Sequence, residues 1–343
     1  MSDHIVVRTP NWLGDTVMAL PMLTALRAAR ADARITLIGR WAPLLAGQGL
    51  GDVLLPYPRA LGARRRMAVG LAAEGADWAV LLPSSFESAL AAWRWGARRR
   101  VGYAIDARGI FLTDAPPLPA PRLHQVDEYA ALLEPLGVTT MDAAPDSKLR
   151  PEWKLRPEWK LRKDAEAEAE VDELLAGAGI DAGTALVGLH LGAAFGSSKL
   201  WPAEAFGRLG RQLLEAGLRP VLLGTKDDAD TAARVESAAG GPVPSLVGRD
   251  RPELLPRLLA RLRCLVSGDT GVAHLAAAVG VATVTLFGPT DRRLTAPRGR
   301  EARVLDRAVP CAPCFLPTCP IDHICLTRIT PEVVLHEVQR AVA

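Results

Sequence analysis

Short apolar runs alternate with helical patterns along the first half of the chain. Strands are predicted at 4–8, 34–38 and 78–82, because each run is rich in Val, Ile, Leu or Trp and is bounded by polar or turn-forming residues. Helices are predicted at 16–29 and 85–95, where apolar residues recur every three or four positions. Strands that alternate with helices form parallel β units, so this half is predicted to be a doubly wound α/β domain.

The same alternation begins again in the second half, after an Ala- and Glu-rich helix. Each predicted strand is again followed by a helical segment, which is typical of a second parallel sheet. We therefore expect two Rossmann-like domains, each with its own sheet, that face a central cleft. The predicted elements are helix 164–176, strand 185–190, helix 203–216, strand 219–223, helix 228–239, a helix near 252–262, a strand–helix–strand segment at 264–291 and helix 331–342.

A tandem duplication separates the two halves. The hexapeptide KLRPEW occupies 148–153 and is repeated at once at 154–159. A proline in each copy prevents a continuous helix, which favours an extended linker; a basic and aromatic surface for lipid or glycan is the alternative. The predicted division is an N-terminal domain at 1–147, a linker at 148–163, a C-terminal domain at 164–328 and a final helix within 329–343 that packs back on the N-terminal domain.

Composition narrows the class of protein. With 343 residues, 49% hydrophobic and 23% charged, the chain is long enough for two globular cores. A net charge of +3 is too small to indicate a nucleic-acid partner. The sequence has neither the run of about 20 apolar residues that spans a bilayer nor a signal peptide. We expect a cytoplasmic protein that is able to touch a membrane surface.

The segment 264–291 predicts a site for a phosphorylated small molecule. Its turn at 267–271 opens a helix at the carboxyl end of a strand, where free N–H groups and the positive helix end suit a phosphate. Thr270 and His274 are four positions apart and share one face of that helix. We expect Thr270, Gly271 and His274 to hold the anion.

In each half, one further loop directly follows the first strand. In the loop that ends at Gly14 and Asp15, the glycine permits a tight turn; the carboxylate either caps the next helix or accepts a proton from a substrate hydroxyl. In the loop at 190–202, Gly and Ser allow the backbone to approach an anion, and Lys199 supplies a positive charge. An ordinary exposed lysine is the alternative for Lys199.

Two arginine runs, at 64–66 and 98–100, are candidates for contact with an anionic partner. The alternative is that both are solvated faces.

Near the C-terminus, four cysteines lie within fifteen residues, a density that suits a structural Zn or Fe site. Free thiols and a disulfide are equally open alternatives. The cysteines are Cys311, Cys314, Cys319 and Cys325.

As a set, these motifs resemble the ADP-heptose:lipopolysaccharide heptosyltransferases, a GT-B glycosyltransferase family, along nearly the whole chain. The motifs PSSFESAL at 83–90 and GAAFGSSKLWP at 192–202 are more similar to the heptosyltransferase II branch than to the I branch. The I branch has hydroxyl residues where Ala194 and Phe195 stand. No acidic ribose partner is obvious near Lys226, so either Asp227 or Asp228 takes that role or the adenosine is held differently. The motifs are NWLGD at 11–15, PSSFESAL at 83–90, GAAFGSSKLWP at 192–202, and DTG at 269–271 with His274 and GPTD at 288–291.

The resemblance implies an inverting transfer of heptose from ADP-heptose to a lipid-linked core oligosaccharide. The arginine runs at 64–66 and 98–100 would then meet the phosphates of that acceptor or the inner-leaflet surface. Asp15 would deprotonate the acceptor hydroxyl, while Lys199 would stabilise the departing ADP, with no metal required for catalysis. A protein or secondary-metabolite acceptor is one alternative, and a non-catalytic nucleotide-sugar-binding protein is another. The implied donor contacts are Gly14, Ala194, Ser197, Ser198, Asp269, Thr270, Gly271 and His274, and the implied acceptor contacts are Asn11, Arg64, Arg65, Arg66 and Arg98.

Overall fold

The computed structural model describes residues 3–139, 155–181, 183–249 and 251–342. The chain divides into two compact units, Met1–Lys160 and Leu161–Ala343. Part of the predicted linker, residues 148–154, lies outside the described residues, and 155–163 form neither helix nor strand. The end of the duplication is fixed to the first unit, because the Gln48 amide exchanges two hydrogen bonds with the Lys160 backbone, at 2.9 and 3.0 Å.

The first unit is built around a parallel five-stranded sheet in the order β3-β2-β1-β4-β5. The central strand β1 is buried along its whole length, as its unbroken apolar run predicts. The elements are β1 (His4–Arg8), α1 (Leu13–Met18), α2 (Leu20–Ala29), β2 (Arg34–Ile38), β3 (Val53–Leu55), α3 (Leu61–Glu74), β4 (Trp78–Leu81), α4 (Phe86–Arg94), β5 (Arg99–Val101) and α5 (Gln125–Ala131).

The second unit contains another parallel five-stranded sheet, in the order β10-β9-β8-β6-β7. Two doubly wound parallel sheets confirm the predicted fold class. The elements are α6 (Ala165–Ala176), β6 (Leu186–His190), α7 (Ala203–Glu215), β7 (Arg219–Leu223), α8 (Ala229–Ala239), α9 (Leu255–Ala260), β8 (Leu262–Gly268), α10 (Gly271–Ala278), β9 (Ala282–Leu286), α11 (Arg292–Thr295), β10 (Ala302–Leu305), α12 (Ile324–Thr327) and α13 (Pro331–Val342).

The final helix packs inside the second unit, and the prediction that the helix within 329–343 packs back on the N-terminal domain stays a prediction. Val334 and Val338 of α13 are fully buried in the core of the second unit, together with Trp201 and Phe206. Helix α13 lies against α7, β8 and β9. Its apolar stripe is therefore satisfied by its own unit. Among the described helices, none has the length and apolar content needed to cross a bilayer.

Candidate functional site

Asp269 anchors the candidate site of the second unit. It follows β8 directly and is only 6% exposed. One carboxylate oxygen accepts hydrogen bonds from Lys199 Nζ at 2.5 Å and from Thr290 Oγ1 at 2.7 Å. The Asp269 backbone carbonyl accepts a further bond from Lys199 Nζ at 3.1 Å. A buried carboxylate engaged in this way positions Lys199 and Thr290.

Lys199 is largely buried beside this carboxylate. Its side chain is 12% exposed, and Nζ lies 4.9 Å from the centre of the Phe195 ring, within range of a cation–π contact. The two loops approach closely because Gly268 has no side chain: a Cβ there would lie 2.7 Å from the Lys199 carbonyl oxygen. The structure thus brings Lys199 to the 267–274 turn, and the alternative of an ordinary exposed lysine is wrong.

Thr270 and Gly271 form the N-terminal end of α10, as predicted. Thr270 occupies the N-cap position with extended backbone, and its hydroxyl makes no capping hydrogen bond. The first N–H groups of a helix have no intrahelical acceptor, and they concentrate positive potential there. With the Lys199 ammonium nearby, these N–H groups provide an anion site suited to a diphosphate.

The Thr270 hydroxyl instead belongs to a chain of hydrogen bonds that the sequence analysis missed. His190 Nδ1 lies 3.2 Å from Ser267 Oγ, which in turn lies 2.9 Å from Thr270 Oγ1. Burial lowers the pKa of His190 to about 4, against the opposing charge of Asp228, so the imidazole is neutral at pH 7. The sequence feature that could have predicted this chain of hydrogen bonds is a polar residue at the carboxyl end of each buried strand, His190 in β6 and Ser267 in β8.

His274 lies on the same helix and is buried. Burial lowers its pKa to about 4, with Asp269 raising the pKa and Lys199 lowering it further. The side chain is therefore neutral at pH 7. If it contacts a phosphate, it does so as a hydrogen-bonding imidazole and not as a cation.

The loop at 190–202 is supported by the chain around Leu316. Ser198 is buried, its hydroxyl donates to the Leu316 carbonyl at 2.6 Å, and its backbone N–H donates to Pro317 at 3.1 Å. This corrects the donor contact predicted for Ser198, because its hydroxyl hydrogen is already engaged inside the unit. Gly196 has φ +149°, and a Cβ there would meet the Pro317 carbonyl oxygen at 2.2 Å. Ala194 and Ser197 remain exposed.

The cysteines at the C-terminal end are free thiols. Cys325 is buried, and burial raises the pKa of its thiol. In the part of the chain that the structure describes, no group of three or more His, Cys, Asp or Glu residues is placed to hold a metal ion. The Zn or Fe site predicted at Cys311, Cys314, Cys319 and Cys325 has no counterpart there, and metal binding stays a prediction. The backbone N–H groups of Cys314 and Phe315 donate to Pro289, at 3.0 and 2.8 Å.

In the first unit, Asp15 lies in the first turn of α1 and is half-buried. The N-cap position belongs to Trp12, so the capping alternative for Asp15 is wrong. A negative charge is favoured at this end of a helix. Burial, followed by the charges of Asp15 and Glu128, raises the pKa of Tyr129. Gly14 is buried within α1.

Arg8 organises the loop that leads to Asp15. It is 2% exposed at the end of β1, and its guanidinium lies 4.0 Å from the centre of the Tyr57 ring. Its Nη2 donates to Asn11 Oδ1 at 2.7 Å, and its Nη1 donates to the Thr9 carbonyl at 2.6 Å. Burial lowers the pKa of Arg8. The sequence analysis missed this residue, which reads as the polar end of an apolar strand.

A pocket of about 260 Å³ lies beside Asn11. Tyr57 donates to Glu87, and burial together with that carboxylate raises the pKa of Tyr57 to about 12. Arg64 pairs with the same carboxylate at 3.3 Å. The surplus of positive charge suits an anionic ligand. The charged lining residues are Arg8, Arg40, Arg59, Arg64 and Glu87.

The two arginine runs have different surroundings. Arg65 and Arg66 are exposed on α3. In the second run, Arg98 is exposed and pairs with Asp77 at 3.3 Å, whereas Arg99 and Arg100 belong to β5. Arg99 binds Asp114, and Arg100 donates to the carbonyls of Ala97 and Phe111. The second run therefore mainly stabilises the edge of the sheet.

Comparison with known proteins identifies the relatives of this chain. The model of Glycosyltransferase family 9 (heptosyltransferase) matches residues 64–325. Lipopolysaccharide heptosyltransferase 2 of Salmonella typhimurium is 30% identical over 320 residues, which cover 88% of this chain and 87% of that protein. The protein of the same name from Escherichia coli K12 is 28% identical over 314 residues, again 88% and 87%.

Solved structures agree in fold. The structure of E. coli ADP-heptose lps heptosyltransferase II superposes with a TM-score of 0.78 at 25% identity, over 99% of this chain and 98% of that one. A glycosyltransferase family 9 structure from Veillonella parvula gives 0.80 at 20% identity, over 100% and 98%. The predicted GT-B fold, with two Rossmann-like domains, is confirmed.

Proposed function

Because the chain belongs to glycosyltransferase family 9 (heptosyltransferase), we propose that it transfers heptose from ADP-heptose to a heptose of the lipopolysaccharide inner core. The observation that carries the proposal is the buried Lys199–Asp269 pair at the N-terminal end of α10. This arrangement offers a fixed cation and unpaired N–H groups to a diphosphate. The chain is therefore an enzyme whose donor half lies in the second unit.

In the proposed reaction, the acceptor oxygen attacks the anomeric carbon as the bond from that carbon to the ADP oxygen breaks. Negative charge moves onto the departing ADP, and Lys199 together with the N–H of Gly271 stabilises it. A diphosphate leaves without protonation, so the second carboxylic acid of a glycosidase is not needed. A single displacement inverts the anomeric configuration.

Asp15 is proposed as the base that takes the proton of the acceptor hydroxyl. Its loop begins at β1 and contains Asn11, which Arg8 fixes beside the cationic pocket. Asn11 and Arg64 are proposed acceptor contacts there. The lining charges suit an acceptor that carries phosphate or carboxylate groups.

The geometry of the second unit reduces the number of residues that we propose as direct donor contacts. Thr270, Gly271 and the exposed residues Ala194 and Ser197 remain proposed contacts. Asp269 acts through Lys199 and Thr290, and His274 contributes a neutral imidazole.

We also propose that the protein works in the cytoplasm at the inner leaflet, where its lipid-linked acceptor is located. Arg65 and Arg66 are exposed cations of α3 that suit anionic headgroups. Arg98 is a weaker candidate, because Asp77 already offsets its charge.

A substrate panel tests the function. The full chain is incubated with ADP-heptose, ADP-glucose or UDP-glucose and with inner-core acceptors that carry one heptose or none, and products are identified by mass spectrometry. Product is expected only from ADP-heptose and the heptose-bearing acceptor. Product from the heptose-free acceptor would reassign the acceptor, and product from another nucleotide sugar alone would reassign the donor.

A further inference from the structure

A large groove runs between α3 and α4 of the first unit, with a volume of about 810 Å³. This lies within the range of about 300–1,000 Å³ that is usual for ligand sites. Its lining is mainly apolar: Trp95 is buried at the base, whereas Leu61 and Val69 are 79% and 66% exposed. Two large aliphatic side chains held open to water beside an apolar groove indicate a surface that a partner covers.

The same groove carries positive charge. Arg64, Arg65 and Arg94 line it, and its one acidic lining residue, Glu87, already binds Arg64 and Tyr57. Arg65 and Arg94 are exposed, and neither forms an ion pair with any residue that the structure describes. An apolar groove with unpaired cations complements a molecule that combines a hydrocarbon chain with anionic groups.

The groove adjoins the pocket beside Asn11. Tyr57, Arg64 and Glu87 line both cavities. One molecule can therefore place a polar end next to Asn11 and extend its other end between α3 and α4.

Because the two cavities share these lining residues, we propose that the groove between α3 and α4 is the lipid subsite of the acceptor. It holds part of an acyl chain of the lipid-linked sugar, while Arg65 and Arg94 meet the anionic groups near that chain. This inference rests on the proposed function. It assigns a role in acceptor affinity to Leu61, Val69 and Arg94, side chains that lie outside the sugar-transfer chemistry.

The test compares an acylated acceptor with the same acceptor after removal of its acyl chains, at one fixed concentration of non-ionic detergent. Equilibrium binding to the full chain is measured without donor, and KM and kcat are measured with ADP-heptose. Burial of about two methylene groups, at about 0.8 kcal/mol each, predicts that the acylated acceptor binds about tenfold more tightly. Val69→Glu places a charge at the groove and is expected to erase this ratio. Leu214→Glu, at an exposed leucine of α7, is the matched control and should keep it.

Equal binding of the two acceptors by the parent chain would overturn the lipid subsite, even if heptose transfer is intact. Tighter binding of the acylated acceptor without transfer from ADP-heptose would leave the subsite standing and refute the proposed function. Vesicles of phosphatidylglycerol provide the last arm. If they bind the chain in a Val69-dependent way while the two acceptors bind alike, the occupant is a bilayer lipid and the proposal is wrong.

Discussion

At the scale of single residues, the pairing of Lys199 with Asp269 determines how the donor site is charged at rest. The pair is nearly neutral as a whole and largely buried, so the lysine is held in place before any ligand arrives. The additional attraction for a diphosphate then comes from the N–H groups of α10. The two strong hydrogen bonds from Lys199 and Thr290 offset the free-energy cost of burying the Asp269 carboxylate.

Removal of one member of this pair leaves a buried charge without its partner. Asp269→Asn is expected to lower the free energy of unfolding by about 3 kcal/mol and to lower kcat/KM for the donor. Lys199→Gln should lower kcat by about 10²–10³-fold, because it removes charge stabilisation from the departing ADP. Urea titration and steady-state kinetics measure the two effects.

The matched control is Arg234→Gln, which breaks an exposed ion pair with Glu204 on the surface of the same unit. An exposed pair contributes little, so stability and kinetics should match those of the parent chain. Full donor kinetics in Lys199→Gln would remove Lys199 from the proposed mechanism.

The buried histidines predict how stability depends on pH. The folded-state pKa values of His190 and His274, about 4, lie below the unfolded value near 6.5. The unfolded chain therefore takes up these protons first, and their contribution to stability is complete above pH 6.5 and is lost toward pH 4. Each imidazole adds a slope of up to about 1.4 kcal/mol per pH unit in that window.

Urea unfolding at a series of pH values measures this slope. His274→Gln should reduce it, whereas His336→Gln, at an exposed position of α13, should leave it as it is. An unchanged slope in His274→Gln would show that the imidazole is protonated inside the folded protein.

At the scale of elements, loops at the carboxyl ends of strands build both halves of the site, and a supporting segment fixes one of them. Residues 311–317 accept hydrogen bonds from Ser198 and donate to Pro289. They thereby connect the chain around Lys199 with the chain around Thr290. The cysteine-rich segment thus has a structural role in holding these two loops together.

Gly196→Ala tests this support directly. The added Cβ would collide with the Pro317 carbonyl oxygen, and φ is +149°. We expect a loss of about 1–3 kcal/mol in stability and at least a tenfold lower kcat/KM for the donor, since Lys199 would shift. Gly241→Ala is the control, because a Cβ there meets nothing within 4 Å. Normal donor kinetics in Gly196→Ala would show that the Lys199 loop does not depend on Pro317.

The same scale shows what the sequence could and could not predict. Central strands and amphipathic helices were found because burial imposes their pattern, as in β1 and α7. Helix α3 was missed because it buries only Ala68 and Leu71 and carries three consecutive arginines. Edge strand β5 was missed because Arg99 and Arg100 occupy two of its three positions. The predicted helix 16–29 is two helices that break at Ala19, before Pro21.

The role of a site residue could be predicted where it follows from the residue's position in a local motif. It could not be predicted where it depends on a hydrogen-bond partner that is distant in sequence. The turn at Thr270 and Gly271 was located from its position after a strand. The roles of Asp269 and Ser198 depend on Thr290 and Leu316, which are distant in sequence. No local pattern contains those contacts.

At the scale of the whole molecule, the chain forms two units, each with its own hydrophobic core. The donor chemistry is proposed for the second unit, and the base and the acceptor for the first. We therefore expect that loss of the proposed base in the first unit prevents transfer while the donor site of the second unit remains intact.

The rate of heptose transfer by Asp15→Asn tests this central claim most directly. Asp230→Asn is the matched control, since Asp230 is an exposed acidic residue in the first turn of α8. We expect that Asp15→Asn lowers kcat by at least about 10²-fold, as loss of a general base does, while Asp230→Asn keeps the parent rate. Transfer by Asp15→Asn at the parent rate would contradict it.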